Sequence, residues 1–127
     1  MFPSDFFTYL KDNTLIDIKG GNSYPKFLDI WIVHVGERVF ARSWNKSARS
    51  WFTEFDRTGV GQIRYGGKIL DVQGRKVDRE DPIQLKISMA YLERFTEKET
   101  LIYAEGIAKE EYFDFTMEFI NPVKLQN

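Results

Sequence analysis

The residues best suited to chemistry lie between a predicted strand and a predicted helix, in the stretch VFARSWNKSARSWFTEF that spans residues 39–55. Arg42 offers a planar fork of N–H donors and Ser43 a hydroxyl, and both stand at the end of an alternating apolar run. Ser47 is expected to cap a helix that starts at Ala48, where free backbone N–H groups favour an anion. The spacing therefore predicts a site for a phosphate or another anion.

Further cationic and aromatic side chains lie in this stretch or shortly before it: Trp31, Trp44, Lys46, Arg49 and Trp51. The lysine and the second arginine add positive charge, and a flat heteroaromatic ring attached to the phosphate would find stacking partners among the tryptophans. From the residues alone an alternative stays open, in which Ser47 only caps, Trp51 only packs and Arg42 is a surface charge.

Other kinds of catalytic site find little support. Residues 43–46 match S-x-x-K, but the chain is much shorter than the penicillin-recognising enzymes and lacks their S-D-N and K-T-G elements. No spacing singles out a pair of carboxylates for acid–base work. Without cysteine and with His34 as the single histidine, we expect no metal site and no cysteine nucleophile, and His34 is expected to be structural or at the surface. The catalytic residues stay unknown.

Composition indicates one domain over residues 1–127, with 43% hydrophobic, 29% charged and 16% aromatic residues. The net charge of −1 is unevenly spread: residues 42–79 hold nine Lys or Arg against four Asp or Glu, whereas residues 80–118 hold four against ten. This division fits two solvated faces, an anionic ligand or pairing between subunits. A nucleic-acid partner, a signal peptide and a membrane helix are not indicated, so a cytoplasmic location is expected.

Hydrophobic periodicity predicts mainly strands with a few helices. The predicted strands are 14–18, 27–35, 38–42, 61–65, 68–77 and 112–120, with hairpin turns at Gly36-Glu37 and Gly66-Gly67. The predicted helices are 4–10 with Ser4 as cap, 48–57, 82–95 with a capping box at Asp81, and a further one through 101–104 after a box at Thr96 and Glu99. These elements predict an α+β, mainly β fold in which a strand as apolar as 27–35 is covered on both faces.

The order of the segments WIVHVGERVFARS, SARSWF, GQIRYGGKILDV and FTMEFINPV resembles an uncharacterised bacterial family of the FMN-binding split-barrel group. That group includes pyridoxamine-phosphate-oxidase-like and deazaflavin-dependent nitroreductase-like proteins. The resemblance covers roughly residues 27–123. It implies a six-stranded split β-barrel with flanking helices, often a homodimer, that holds FMN.

Carried over by position, the resemblance puts the flavin phosphate against Arg42 and Ser43 at the strand end and against Lys46 and Ser47 in the turn. It puts Arg49 beside them and Trp51 on the helix, with Arg64 as a weaker candidate. The loop KGGNSYPK replaces the basic T-G-R-K-S-G-type segment of the deazaflavin-dependent proteins, which argues against a deazaflavin.

Three functions remain open on this basis. The first is an FMN-binding oxidoreductase, in which the flavin carries the hydride or electron chemistry. The second is a non-enzymatic, dimeric split-barrel module that binds a small apolar or anionic ligand. The third is a protein-interaction subunit with a filled barrel and a large exposed apolar patch.

Overall fold

The computed structural model describes residues 2–21, 26–44 and 50–122. The α-helices are α1 (Ser4–Asp12), α2 (Trp51–Thr58), α3 (Ile83–Arg94) and α4 (Lys98–Ile107), and a 3-10 helix covers Glu110–Phe115. The strands are β1 (Ile16–Gly20), β2 (Leu28–Ile30), β3 (Val33–Val35), β4 (Arg38–Arg42), β5 (Val60–Tyr65), β6 (Lys68–Lys76) and β7 (Thr116–Ile120). None of the helices in the described ranges is long and apolar enough to cross a membrane.

The strands form one antiparallel sheet in the order β2-β1-β5-β6-β7-β4-β3. β2 and β3 stand at opposite ends of this order, yet only Trp31 and Ile32 separate them along the chain. The two ends of the sheet are therefore brought together, and the sheet curls into a half-barrel with helices on its flanks. The predicted α+β class is confirmed. The count of six strands is not, because the predicted strand 27–35 is divided into β2 and β3.

Both predicted hairpins are confirmed. β3 pairs with β4 across Gly36, and β5 pairs with β6 across Gly66 and Gly67. All three glycines have positive φ, at 61°, 52° and 80°, a backbone conformation that other residues rarely adopt. Glycine at these turns therefore sets the register of both hairpins.

The concave face of the sheet carries one apolar core, which we call the inner cluster. On β4 and β7 it takes every second residue, Val39 and Ala41 with Met117 and Phe119. α1 adds Phe6 and Leu10, Phe2 joins them from two residues before this helix, and α2 adds Trp51, Phe52 and Phe55. These two helices therefore close the barrel interior.

Phe55 of α2 sits where three strands have glycine in place of a side chain. A Cβ at Gly61 of β5 or Gly74 of β6 would overlap the Phe55 ring, and a Cβ at Gly20 of β1 would lie 3.2 Å from it. The glycines thus leave a hollow in the sheet, and the Phe55 ring, which is fully buried, fills it.

The opposite face of the sheet carries a second core, the outer cluster, under α3 and α4. Its members are Val33, Phe40, Val77, Ile87, Tyr91, Phe95, Ala104 and Ile107. The outer face of β4 also carries Arg42, since this residue is two positions from Phe40, and Arg42 pairs in register with Thr116 of β7. Every second residue of β4 and β7 thus faces the helical layer.

Several predicted element ends are wrong. The helix predicted from Ala48 begins at Trp51, and its cap is Ser50, whose Oγ accepts from the Thr53 N–H at 3.2 Å in a capping box. Ser47, the predicted cap, lies outside the described residues. α1 and α4 have Pro3 and Glu97 at the N-cap, and neither makes a side-chain cap bond. Side-chain capping by Ser4 and by the box at Thr96 is therefore not found.

The helix predicted from Pro82 is present as α3, with Pro82 at its N-cap, and Asp81 Oδ1 accepts the Ile83 N–H at 2.9 Å. The predicted capping box is not found, because the Gln84 side chain donates to the Asp78 and Phe113 carbonyls instead. The helix favoured through 101–104 is also present, as α4. The predicted strand 112–120 is only half correct, because residues 112–115 belong to the 3-10 helix. Alternation of aromatic and polar residues continues through both parts, so periodicity alone does not mark this boundary.

Arginines of the basic part of the chain, and Arg38 just before it, pair with the acidic part. Glu118 of β7 accepts from Arg38 at 2.9 and 3.0 Å and from Arg75 at 2.9 Å, and Arg79 pairs with Asp114 at 3.1 Å and with Glu110 at 3.4 Å. Burial alone would raise the pKa of Glu118, but hydrogen bonds from the two arginines outweigh it and hold the pKa below its ordinary value. Part of the uneven charge is thus neutralised within the chain.

We expect Gly74→Ala to destabilise the protein by about 1–3 kcal/mol, because the new methyl group overlaps the Phe55 ring. Urea denaturation measures this loss. In a Phe55→Ala background the same substitution should cost clearly less, since Phe55 Cδ1 and Cγ, which would lie 2.9 Å or less from the new methyl group, are then absent. An equal cost in both backgrounds would contradict the packing described for Phe55.

We expect Glu118→Gln to lower the free energy of unfolding at neutral pH by about 1.5–3 kcal/mol through loss of charge-assisted hydrogen bonds. Because the folded pKa of Glu118 is below its ordinary value of 4.5, the ionised form stabilises the fold above that value. The contribution disappears as pH falls through the folded pKa, so wild type and variant should converge in acid. Glu105→Gln, at an exposed position of α4, is the control and should change stability little.

Candidate functional site

A cavity of about 370 Å³ opens beside the residues that the sequence singles out. Its walls are mainly apolar, and its lining is Leu15, Leu28, Asp29, Ile30, Trp31, Arg42, Ser43, Trp44, Trp51 and Ile107. We call it the tryptophan pocket. Its volume lies in the usual range for small-molecule sites.

The tryptophan pocket lies where the curled sheet is open. One wall is the edge strand β2, and the facing wall is the end of β4 with the residues that follow it. Trp51 comes from the inner cluster and Ile107 from the outer cluster, so the pocket also joins the two cores. Leu15, Leu28 and Trp44 are 44–49% exposed and form an apolar rim at its mouth.

Each of the three tryptophan rings is held by other aromatic rings. Trp31 stacks on Phe95 with centroids 3.9 Å apart and planes 11° apart. Trp44 meets Tyr112 edge to face at 5.3 Å, and Trp51 packs on Phe119 at 5.8 Å. All three tryptophans thus line one pocket, and each contacts a further aromatic ring.

Arg42 is 2% exposed, and its guanidinium gives all five N–H donors to protein acceptors. Nε donates to Thr116 Oγ1 at 3.0 Å, and one Nη donates to Ser88 Oγ at 2.8 Å and to the Ile107 carbonyl at 3.0 Å. The other Nη donates to the Gln84 carbonyl at 3.0 Å and to Gln84 Oε1 at 2.9 Å. The donors that the sequence assigns to a phosphate are therefore occupied by α3, α4 and β7.

The side chains around Arg42 are themselves fixed. Gln84 Nε2 donates to the Phe113 carbonyl at 3.0 Å, and Ser88 Oγ donates to the Ala108 carbonyl at 2.8 Å. Tyr91 Oη accepts from the Arg42 backbone N–H at 2.8 Å and donates to the Trp31 carbonyl at 3.1 Å. This network connects the end of β4, the α3 layer and the chain crossing at Trp31.

The charge of Arg42 has no carboxylate counterpart among the described residues, since its hydrogen-bond acceptors there are neutral. Burial lowers the pKa of Arg42 to about 10, which still leaves the guanidinium protonated at neutral pH. The pocket wall thus carries a positive charge that is buried and not neutralised in the described part of the chain. Such a charge favours a negative group nearby even without a direct hydrogen bond.

The other residues assigned to the cofactor fall into two groups. Ser43 is 1% exposed, with its backbone N–H donating to the Phe115 carbonyl at 3.0 Å, and Trp51 begins α2. Both line the pocket with Arg42. Lys46, Ser47 and Arg49 lie outside the described residues. Arg64, the weaker candidate, instead pairs with Asp17 at 2.7 Å on β1.

Sequence reasoning missed the residues that fix Arg42 and those that form the far wall. The capping box predicted at Asp81 assigns Gln84 to a helix cap, but this residue is 1% exposed and shares the buried side of α3 with Ile87 and Tyr91. A glutamine within a buried stripe was the available signal, because buried amides need partners. No sequence signal was found for Leu15 or Ile107, which reach the pocket only through the tertiary fold.

His34 is exposed, donates from Nδ1 to the Gly36 carbonyl at 2.9 Å and contacts the Phe7 ring. This agrees with the structural role expected for it. Over residues 2–21, 26–44 and 50–122, no group of three or more His, Asp or Glu side chains is arranged to hold a metal ion.

Comparisons with known proteins address the fold and the family. The chain is similar over its whole length to the crystal structure of the conserved hypothetical protein Rv2991 from Mycobacterium tuberculosis, with 82% of that chain covered, a TM-score of 0.54 and 10% identity. At this identity the likeness extends to the fold alone. No curated protein sequence matches the chain. A family described as an uncharacterised protein conserved in bacteria (DUF2255) matches residues 12–118, and the chain belongs to this family.

Proposed function

We propose that the chain binds a flat, mostly apolar ring compound in the tryptophan pocket, with a flavin as the leading candidate. The observation that carries this proposal is the convergence of Trp31, Trp44 and Trp51 on one cavity, each held by a further aromatic ring. Aromatic walls of this kind favour ring stacking and edge contacts over binding of small polar metabolites.

The described residues suit the ring of FMN better than its phosphate. The apolar walls offer contact to the isoalloxazine ring, whereas Arg42 has no donor left for an oxyanion. Its charge would attract the phosphate through space only. Close contacts to the phosphate would have to come from Lys46, Ser47 or Arg49, which the resemblance assigns to it.

In its enzymatic form the proposal makes the chain a flavin-dependent oxidoreductase. Bound FMN would supply the hydride or electron chemistry, and this chain's residues would orient the ring and shield it from water. The substrate and the electron donor are not specified by any described side chain. FMN-dependent oxidation of a reduced nicotinamide by the purified protein is the direct assay for this form.

A second form is a binding module without redox chemistry, which binds an apolar ligand and releases it without chemical change. The occupied donors of Arg42 favour it, since they remove one expected phosphate contact. It predicts a pocket that takes ring compounds with or without a phosphate and no turnover of reduced nicotinamide.

Titration with FMN and with riboflavin, monitored by quenching of flavin fluorescence, tests the proposal. It also separates the contribution of the ring to affinity from that of the phosphate. We expect both to bind, with FMN favoured by less than about tenfold, because a charge-assisted hydrogen bond to the phosphate would contribute more than this. A larger preference that disappears in Lys46→Ala and Arg49→Ala would assign the phosphate to residues 45–49. Failure of both compounds to bind would overturn flavin binding.

Trp44→Ala should weaken riboflavin binding by about 1–3 kcal/mol, the loss typical of one aromatic stacking partner. The residue is 44% exposed, so the fold should tolerate the substitution. Ile102→Ala, at a 69% exposed position that does not line the pocket, is the control and should leave affinity unchanged. Equal affinity in wild type and both variants would place the ring elsewhere.

A further inference from the structure

Helix α3 carries apolar residues on its buried side and on part of its exposed surface. One side holds Gln84, Ile87 and Tyr91, which are buried against the sheet. The neighbouring surface, about a third of a turn around the helix, presents Leu85, which is 67% exposed, and Met89, which is 54% exposed. In a monomeric globular protein the solvent side of a helix is normally polar. The exposed apolar residues of α3 therefore indicate a surface that contacts a partner.

The exposed side has the pattern of a helix–helix seam. Leu85 and Met89 are one helical turn apart, at the i, i+4 spacing with which two paired helices interlock, and Leu92 at i+7 packs partly against the outer cluster. Lys86 and Glu93 are seven residues apart and therefore flank the same edge of this seam. Charged residues at seam edges set the partner and the orientation of paired helices.

The two charges complement a second copy of the same helix. When two copies of a helix pack antiparallel about a two-fold axis, the same edge of each seam faces its equivalent in reverse order. Lys86 of one copy then faces Glu93 of the other, and the symmetry repeats this pair at the other end. Neither residue forms an ion pair with another described residue, so both are free for this contact.

The surface beside the seam leaves space for a second helix. A surface depression of about 400 Å³ runs between α3 and the β3–β4 hairpin, with His34, Val35 and Gly36 along its other side. Leu85, Met89 and both charged residues line it as well. The apolar seam and the paired charges thus lie in one accessible surface.

We propose that the exposed surface of α3 formed by Leu85, Lys86, Met89 and Glu93 is a self-association surface on which a second copy of this chain packs its own α3 antiparallel. The helix has twelve residues and is about 18 Å long. A contact centred on one short helix falls at the small end of protein interfaces, so the dimer should be weak and depend on protein concentration.

Sedimentation velocity over a range of protein concentrations tests the proposal. Wild type should show a reversible monomer–dimer equilibrium. Lys86→Glu and Glu93→Lys should each raise the dimer dissociation constant roughly tenfold, because each turns two attractive pairs into repulsive ones. The double variant, which swaps the charges, should return to within about threefold of wild type.

Matched controls separate this surface from general effects of charge and polarity. Glu105→Lys makes the same charge change as Glu93→Lys on an exposed face of α4 and should leave dimerisation unchanged. Leu85→Ser with Met89→Ser should abolish the dimer, whereas Ile102→Ser, at an equally exposed apolar position, should not. Circular dichroism of each variant verifies that it is folded.

A chain that stays monomeric at every concentration overturns the proposal. It is also overturned by a dimer that none of the α3 variants weakens, or by a charge-swapped double variant that dimerises no better than the single variants. None of these outcomes depends on ligand binding, so the result is independent of the function proposed for the tryptophan pocket.

Discussion

The structure depends most on the buried guanidinium of Arg42, whose five donors bind acceptors from α3, α4 and β7. A buried charge is tolerated only if its hydrogen-bonding groups are satisfied, so these elements must keep fixed positions around it. The arginine stands at the end of β4, where the sheet opens. It therefore holds the helical layer against the sheet at the point where the pocket begins.

This arrangement changes what the arginine can offer a ligand. A guanidinium at a strand end in solvent would bind an oxyanion directly, but here its donors point into the protein while its charge remains without a described carboxylate. Charge acts over distance and hydrogen bonds do not. The pocket wall is therefore positively charged, but the Arg42 guanidinium has no free donor with which to bind an oxyanion. Recognition then rests on the tryptophan rings, and this is why the proposed ligand is defined by its ring more than by its phosphate.

What the sequence could predict was local. Period-two alternation and the turn glycines located the hairpins at Gly36 and at Gly66-Gly67, and Asp81 marked the start of α3. The division of the strand 27–35 follows from the curl of the whole sheet, which no short pattern encodes. The partners of Arg42 lie 42–74 residues away along the chain, so its residue type suggested a ligand contact where tertiary structure supplies protein acceptors.

The same network explains why α3 can carry exposed apolar residues without ambiguity about which side faces the sheet. Gln84, Ser88 and Tyr91 carry the polar groups that satisfy Arg42 and the Trp31 carbonyl, and they all lie toward the sheet. Turning the helix by half a revolution would bury Lys86 and Glu93 and leave the guanidinium without acceptors, at a cost of several kcal/mol. Polar groups therefore set the orientation of α3, and its remaining apolar side stays free for a contact outside the chain.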